Sequence, residues 1–398
     1  MTGLTTTTLA ECCEIVSGAT PQTSVAEYWN GDIYWATPKD LSGLEGHFIA
    51  NTPRKITMAG LGNCAASVLP ANSVLFSSRA PIGHVAINTT PMATNQGFKS
   101  FIPKPHLLEP KFLFYWLRAN RTYLESLGNG ATFKEVSKAV VARVEIALPP
   151  LPKQRRIAAI LDQADALRAK RREALAQLDS LTQSVFIEMF GGQQSQDWPI
   201  ETIADVAALH DGSIRTGPFG SQLLHSEFVA EGVAVLGIDN AVANEFRWGE
   251  RRFISEAKYR ELRRYTVKPG DVLITIMGTC GRCAVVPDDI PAAINTKHLC
   301  CITLNPVKCL PEFLHAFFLR HPMARGYLEQ TSKGAIMSGL NMGLIKAMPI
   351  SIPPIQLQQT FATRIQAVES LKTTHRTALA ELDALFASLQ HRAFAGAL

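Results

Sequence analysis

Charge is scarce in this 398-residue sequence: Asp, Glu, Lys and Arg make up 18% of it, against about a quarter in an average globular chain. Apolar residues still reach 46%, so a disordered or charged-tail protein is excluded, and a good deal of surface is expected to be covered by something else. No apolar run is long enough to span a membrane. There is no glycine-rich phosphate loop followed by Lys-Ser/Thr, and Gly217-Pro-Phe-Gly-Ser221 is not one. The Asp/Asn-Pro-Pro-Tyr/Phe tetrapeptide that amino-methyltransferases use to hold a flipped base is missing. The double prolines here stand in Leu-Pro-Pro-Leu and Ile-Pro-Pro-Ile, which lack both the polar residue and the aromatic. Glu256-Ala-Lys258 looks like half of a nuclease signature, but no Pro-Asp pair precedes it at a suitable distance. The histidines are scattered, with no nucleophile or metal spacing beside them. No catalytic residue and no bound cofactor are therefore expected in this chain. The start, Met1-Thr-Gly-Leu-Thr-Thr-Thr-Thr8, lacks a basic segment followed by an apolar one. With eight cysteines spread over a long chain, it reads as a cytoplasmic protein with reduced thiols. Cys280-Gly-Arg-Cys283 with Cys300-Cys301 can be drawn as a zinc site, but the spacing fits no known class, and small buried core thiols are the favoured reading.

What the sequence does contain is a copy of itself. Ile146-Ala-Leu-Pro-Pro-Leu-Pro-Lys-Gln154 returns as Ile350-Ser-Ile-Pro-Pro-Ile-Gln-Leu-Gln358, at an offset of 204 residues. Upstream, Gly130-Ala131 matches Gly334-Ala335 and Val141 matches Ile345. Further back the offset drifts as loop lengths change. Pro110 matches Pro311, Asn95 matches Asn295, and Ser73-Val-Leu-Phe with Gly83 matches Asp271-Val-Leu-Ile with Gly281. Ala10-Glu11 pairs with Ala204-Asp205 and Gly18 with Gly212. Each copy reads as short β-like runs punctuated by Gly, Pro and Asn (32–36, 73–76 and 85–87; 234–238, 272–276 and 284–286). An aromatic-rich helix follows (110–118; 311–319), then a Gly-containing loop, a short helix, a strand, a double proline and a long helix.

After Pro152 there is no proline or glycine until Gly191. This predicts a helix of about 37 residues, roughly 55 Å long. The second runs from about Gln356 to Phe394, with Gly396 beyond it. Both carry a 3-4 apolar stripe sustained over several heptads, a coiled-coil signal. The stripe is Ile157, Leu161, Ala164, Leu175, Leu178 and Val185 in the first, and Phe361, Ile365, Val368, Leu379, Leu382, Phe386 and Leu389 in the second. Arg168 and Arg171 interrupt the first stripe, Lys372 and His375 the second, again at the offset of 204. Antiparallel pairing would bring these residues together as a polar layer that fixes register; alternatively the stripe drifts and they face water.

The expected fold is thus α+β: two similar globular domains separated by two long antiparallel helices, a pseudo-two-fold internal repeat. The domains are residues 1–150 and 193–353, and the helical spacers 151–192 and 354–398. Two reading heads at a fixed spacing suit a periodic ligand, and double-stranded DNA is the obvious one. The net charge of +5 permits an anionic partner without requiring one. Locally, residues 247–268 gather Arg247, Arg251, Arg252, Lys258, Arg260, Arg263, Arg264 and Lys268, either a phosphate-binding cluster or a solvated helix face. The candidates for base reading lie in loops: Arg79, Asn95, Gln96, Lys99 and Lys134 in the first copy, and Arg215, Arg282, Asn295, Lys297, His298 and Lys333 in the second. These residue types pair with guanine or adenine in the major groove, though each has a structural alternative as a turn or loop residue. The copies agree best in their helices and least in these loops, as two specificities on one frame would require.

The ordered set, present twice, resembles the specificity (S) subunit of a Type I restriction-modification system. The residues that carry the likeness are Leu148-Pro-Pro-Leu-Pro-Lys-Gln154 leading into Ile157-Ala-Ala-Ile-Leu-Asp162, then Ile352-Pro-Pro-Ile-Gln-Leu-Gln358, Ser17-Gly-Ala-Thr-Pro21, Gly217-Pro-Phe-Gly-Ser221, Gly128-Asn-Gly-Ala-Thr132 and Ser332-Lys-Gly-Ala335. The first copy lacks a Gly-Pro-Phe-Gly-Ser match, and Leu357 stands where the first copy has Lys153. The resemblance implies that each globular segment is a target recognition domain and that the long helices dock methyltransferase (M) subunits. It implies two M subunits per chain, restriction (R) subunits that join them, and a split, asymmetric DNA target. S-adenosylmethionine would be used by the M subunits, ATP and Mg by the R subunits. The alternative from another class is a coiled-coil scaffold whose globular ends bind proteins. It predicts no salt-dependent affinity for DNA.

Overall fold

The structure is a computed structural model and describes residues 5–44, 46–79, 81–130, 134–192, 197–332 and 340–398. The chain forms two compact units, Met1–Arg172 with Thr377–Leu398, and Glu173–Arg376. Each long helix therefore contributes one half to each unit.

The first unit opens with strand Thr5–Thr8, paired antiparallel with Glu145–Leu148 so that both ends of the globular segment meet beside the long helix. The Glu11 carboxylate accepts hydrogen bonds from the Thr8 N–H (2.8 Å) and the Thr7 hydroxyl (2.7 Å), closing the start of helix Leu9–Cys12. The second unit repeats both devices. Ile200–Thr202 pairs with Pro349–Ser351, and Asp205 accepts from the Thr202 N–H at 2.8 Å and its hydroxyl at 2.6 Å.

Between these ends the β-rich part forms two sheets. In the first unit the larger sheet runs Cys13–Ser17, Lys99–Pro103, Val74–Phe76, Val85–Asn88, Phe48–Ile49, and the smaller runs Lys55–Ile56, Trp29–Ala36, Met92–Thr94. In the second unit the corresponding orders are Ile214–Thr216, Leu299–Ile302, Val272–Thr275, Cys283–Val285, and Phe228–Val229, Phe253–Ile254, Val233–Leu236, Ala293–Asn295. The sequence runs read as β-like lie within or beside these strands.

Register corrects two of the sequence matches. Ala36 pairs with Thr94, and its counterpart Leu236 pairs with Asn295. The N–H of Asn95 then reaches the Ala36 carbonyl just as that of Thr296 reaches Leu236, both at 2.9 Å. Asn95 is therefore equivalent to Thr296, and Asn295 to Thr94. Matching identical letters lost one residue because the strands, not the turn, set the alignment. Similarly, Gly18 corresponds to Gly217 rather than Gly212. A Cβ on Gly18 would lie 2.0 Å from the Asn95 carbonyl oxygen, and one on Gly217 would lie 1.9 Å from that of Asn295. Close backbone approach demands glycine at both places.

The aromatic helices Pro110–Ala119 and Pro311–Arg320 form the centre of each core. Phe112 to Leu117 are all buried in the first, and Phe313, Leu314, Phe317 and Phe318 in the second. Each is fastened to a long helix by a buried glutamine. Gln154 accepts the Glu109 N–H at 2.9 Å and donates to the carbonyls of Leu107 and Pro149, both at 2.8 Å. Gln358 accepts the Leu310 N–H at 2.9 Å and donates to Lys308 (3.0 Å) and Pro353 (2.9 Å). Every polar atom of both amides is paired, which burial requires. This explains the glutamine that closes each double-proline motif.

The long helices are Leu151–Phe190 and Ile355–Phe394, 40 residues each. Pro152 sits in the first turn, where its missing N–H costs nothing. In the first unit Ile157, Leu161 and Ala164 are buried together with Phe386, and Leu389 packs against them. In the second, Val185, Phe186 and Phe190 are buried with Phe361, and Ile365 packs beside them. Val368 is buried, while Leu175, Leu178, Leu379, Leu382, Arg171 and His375 are half-buried. The pairing is antiparallel in each unit: Arg168 meets Asp383, and Lys372 meets Asp179.

Those two ion pairs are one another's copies at the offset of 204. Arg168 bonds Asp383 and Asp165, both at 2.5 Å. Lys372 bonds Asp179 and Glu369, both at 2.8 Å. The guanidinium of Arg168 lies over the Phe386 ring at 4.3 Å, and where the second unit has Thr182 in place of that ring, Lys372 donates to its hydroxyl at 3.2 Å. The apolar stripe thus carries a charged rung in each unit, with Lys372 only 6% exposed.

Candidate nucleic-acid interface

In each unit a hairpin loop and a neighbouring turn are bonded into one surface. The hairpin loops are 77–84 and 275–282. Gly83 (φ 98°) donates its N–H to the Ser77 carbonyl, and Gly281 (φ 77°) to that of Thr275, both at 2.9 Å. The Ser77 hydroxyl accepts the N–H of His84 (2.8 Å), and the Thr275 hydroxyl that of Arg282 (2.9 Å). The hairpin loop then bonds the turn: Ser78 N–H to the Gly97 carbonyl at 2.7 Å, and Ile276 N–H to the His298 carbonyl at 2.9 Å. The frame is the same in both units, and the side chains on it differ.

In the first unit Gln96 is exposed at the tip of the turn and bonds the Thr20 hydroxyl. Asn95 holds the turn itself, its side-chain oxygen accepting the Gly97 N–H at 2.9 Å. Arg79 lies half-exposed beside Glu135 (3.6 Å), and Lys134 is exposed. Lys99 is a correction: only 8% exposed, it is tied to Glu135 at 3.1 Å inside the loop cluster, which removes it from base reading.

In the second unit Lys297 occupies the place of Gln96, and His298 that of Gly97. Burial, with Lys297 and Arg252 beside it, pushes His298 below its ordinary pKa. Arg282 is exposed on the hairpin loop. Two further candidates are corrected by burial. Arg215 donates to Asp271 (2.6 Å), to the Thr266 carbonyl (2.5 Å) and to the Thr303 hydroxyl (3.0 Å), and its side chain is 8% exposed. Asn295 is fully buried and donates to the Leu299 carbonyl at 3.0 Å. Both hold the sheet. Lys333, and most of the loop that carried the Gly334-Ala335 match, lie outside the described residues.

The basic stretch divides as well. Arg247 pairs with Glu245, Arg252 with Asp239, and Lys258 with Glu227 and Glu261. Arg251 lies over the Trp248 ring at 4.9 Å, and Arg264 over Tyr265 at 4.7 Å. Arg260, Arg263 and Lys268 are exposed and have no carboxylate partner among the described residues. Asp239 carried no signal in the sequence, because nothing in its neighbourhood marks a carboxylate that orients an arginine thirteen residues on. Of the cysteines, Cys283, Cys300 and Cys301 are buried. Burial raises their thiols above the usual range, Cys300 to about 12, and Cys280 is half-buried. Among the described residues no helix is long and apolar enough to cross a membrane.

Comparison with known proteins bears on the same segments. A family model described as Type I restriction modification DNA specificity domain matches residues 1–177 and 249–384, most of the chain. The Type I restriction enzyme MjaIX specificity subunit of Methanocaldococcus jannaschii is 32% identical over 219 residues, half of this chain and half of that protein. The EcoBI specificity subunit of Escherichia coli is 22% identical, with 94% of this chain and 77% of that protein aligned. Among solved structures, the Type I restriction-modification S subunit from M. genitalium superposes with a TM-score of 0.61 at 13% identity, covering 98% of this chain and 96% of that one. At that identity the likeness is one of fold.

Proposed function

The chain belongs to the Type I restriction modification DNA specificity family, and on that premise we propose that it is the non-catalytic subunit that reads a bipartite, asymmetric DNA sequence. Each unit would read one half. The observation that carries this reading is the repeated hairpin-and-turn surface with unlike side chains. Arg79, Gln96 and Lys134 stand in one unit, and Arg282, Lys297 and His298 in the other. One frame with two sets of donors and acceptors is what an asymmetric split target requires. Arg251, Arg260, Arg263 and Lys268 add cations that suit phosphate oxygens.

The partners follow the same premise. Exposed leucines recur at matched positions of the long helices, Leu167 with Leu371 and Leu181 with Leu385, each between 44% and 53% exposed. Apolar side chains presented twice at the same place favour two copies of one partner. These would be methyltransferase subunits that bring S-adenosylmethionine, joined by restriction subunits that use ATP and Mg. Co-expression with a neighbouring methyltransferase, followed by mapping of modified adenines, is the test. A bipartite motif is expected; a methylome unchanged by the pair would remove the reading.

A further inference from the structure

Two arginines occupy one position of the repeated frame, and the sequence comparison did not pair them. The carbonyl of Arg54 accepts the Trp35 N–H at 3.1 Å, and that of Arg252 accepts the Val235 N–H at 2.9 Å. Each precedes a two-residue strand, Lys55–Ile56 at the edge of its small sheet or Phe253–Ile254 inside the other, paired antiparallel with Trp29–Ala36 or Val233–Leu236. That strand ends in both units in a turn closed by a side chain. The Asp40 carboxylate accepts the Thr37 N–H at 2.7 Å, and the Asn240 side-chain oxygen accepts the Gly237 N–H at 2.9 Å. The last carbonyl of the strand, from Ala36 or Leu236, anchors the turn that carries Gln96 or Lys297.

Both guanidinium groups are held in place, by different chemistry. Arg54 is exposed and lies over two indole rings, 4.1 Å from the centre of Trp29 and 4.8 Å from that of Trp35. The indole N–H of Trp35 in turn donates to the Ala19 carbonyl at 3.0 Å, fixing the platform to the loop of Thr20 and Gln96. Arg252 is bonded by Asp239 and lines an open cleft of about 540 Å³ with Gly237, Glu250 and His298. A Cβ on Gly237 would lie 2.6 Å from the Arg252 guanidinium, so glycine there makes room for it. A guanidinium ordered before binding loses less freedom when it engages a ligand, and its planar fork of donors matches O6 and N7 of guanine.

We propose that Arg54 and Arg252 are the guanine-reading residues of the two units, each specifying one G·C pair in its half of the target, with Asp239 as the positioning residue for Arg252. This rests on the DNA-reading function proposed above. The obvious competitor is a phosphate contact, which a lysine would serve equally well. The test is therefore Arg54→Lys and Arg252→Lys, each co-expressed with the methyltransferase, with mapping of modified adenines. Each variant is expected to make one G·C position degenerate in one half of the motif, a different half for each, and to leave the other half intact. Purified wild-type complex should lose about tenfold in affinity when that pair is changed to A·T, and the matching lysine variant should no longer discriminate. Asp239→Asn, which leaves Arg252 in place, should relax the same position as Arg252→Lys. A wild-type motif without G·C in one half would overturn the proposal, as would lysine variants with the wild-type motif. Loss of all methylation in Arg252→Lys with an unchanged motif in Asp239→Asn would overturn it too. Absence of any bipartite methylation with the wild-type chain would instead overturn the DNA-reading function itself.

Discussion

Asp165 joins the globular part of the first unit to its long helix. It accepts from His47 at 3.0 Å, from Arg118 at 3.4 Å and from Arg168 at 2.5 Å. The hydrogen bond from His47, then the charges of Arg118 and Arg168, outweigh burial and hold its carboxyl at about 2, below the ordinary aspartate value of 3.8. A folded-state value below the unfolded one means stability that is present above pH 3.8 and lost as pH falls toward 2. Asp165→Asn is expected to unfold earlier than wild type in urea at pH 7, and the difference should close as both are titrated to about pH 2. A gap that stays constant with pH would assign the loss to shape rather than charge. None of this was legible in the sequence, because His47 and Asp165 are far apart in the chain and neither stands in a motif. The same blindness explains Arg215, Lys99 and Asn295. Residue type named them as readers, whereas burial, which no single residue type reveals, made them supports.

Elements were far more legible. A stretch without proline or glycine, a double proline before it and a glycine after it are local signals, and they located both 40-residue helices to within a few residues. The stripe and its break were visible for the same reason. The residues that answer the break were not. Asp383 and Asp179 lie outside the apolar stripe, and only antiparallel pairing brings them to Arg168 and Lys372. A charged rung costs desolvation and gives register in return. Replacing both pairs whole by Leu, Arg168 with Asp383 and Lys372 with Asp179, is therefore expected to raise the thermal midpoint by a few degrees, about 1–2 kcal/mol. It should also let the helices slide, so that cysteines placed to cross-link in the native register give mixed products. A lower midpoint with a single cross-linked product would show the rung to be a source of stability rather than of alignment.

At the scale of the whole molecule, duplication was the strongest signal in the sequence, because it is written in order and spacing rather than in any one residue. Strand register overturned two of its matches, Asn95 with Asn295, one residue out, and Gly18 with Gly212, where Gly217 is the counterpart. If each unit reads one half of the target, as proposed, the spacing of the halves must be set by some element, and the long helices are the elements each unit shares in part. A heptad is the smallest deletion that keeps the 3-4 stripe and both charged rungs in phase. It shortens a helix by about 10 Å, the rise of three base pairs. Removing seven residues from each long helix, Arg172–Leu178 in the first and Arg376–Leu382 in the second, should shorten the gap between the halves of the methylated motif or abolish methylation. Each half should still be read with its own specificity. Methylome mapping of that variant with the same methyltransferase checks this, and an unchanged gap would mean that something other than the helices sets the distance between the half-sites.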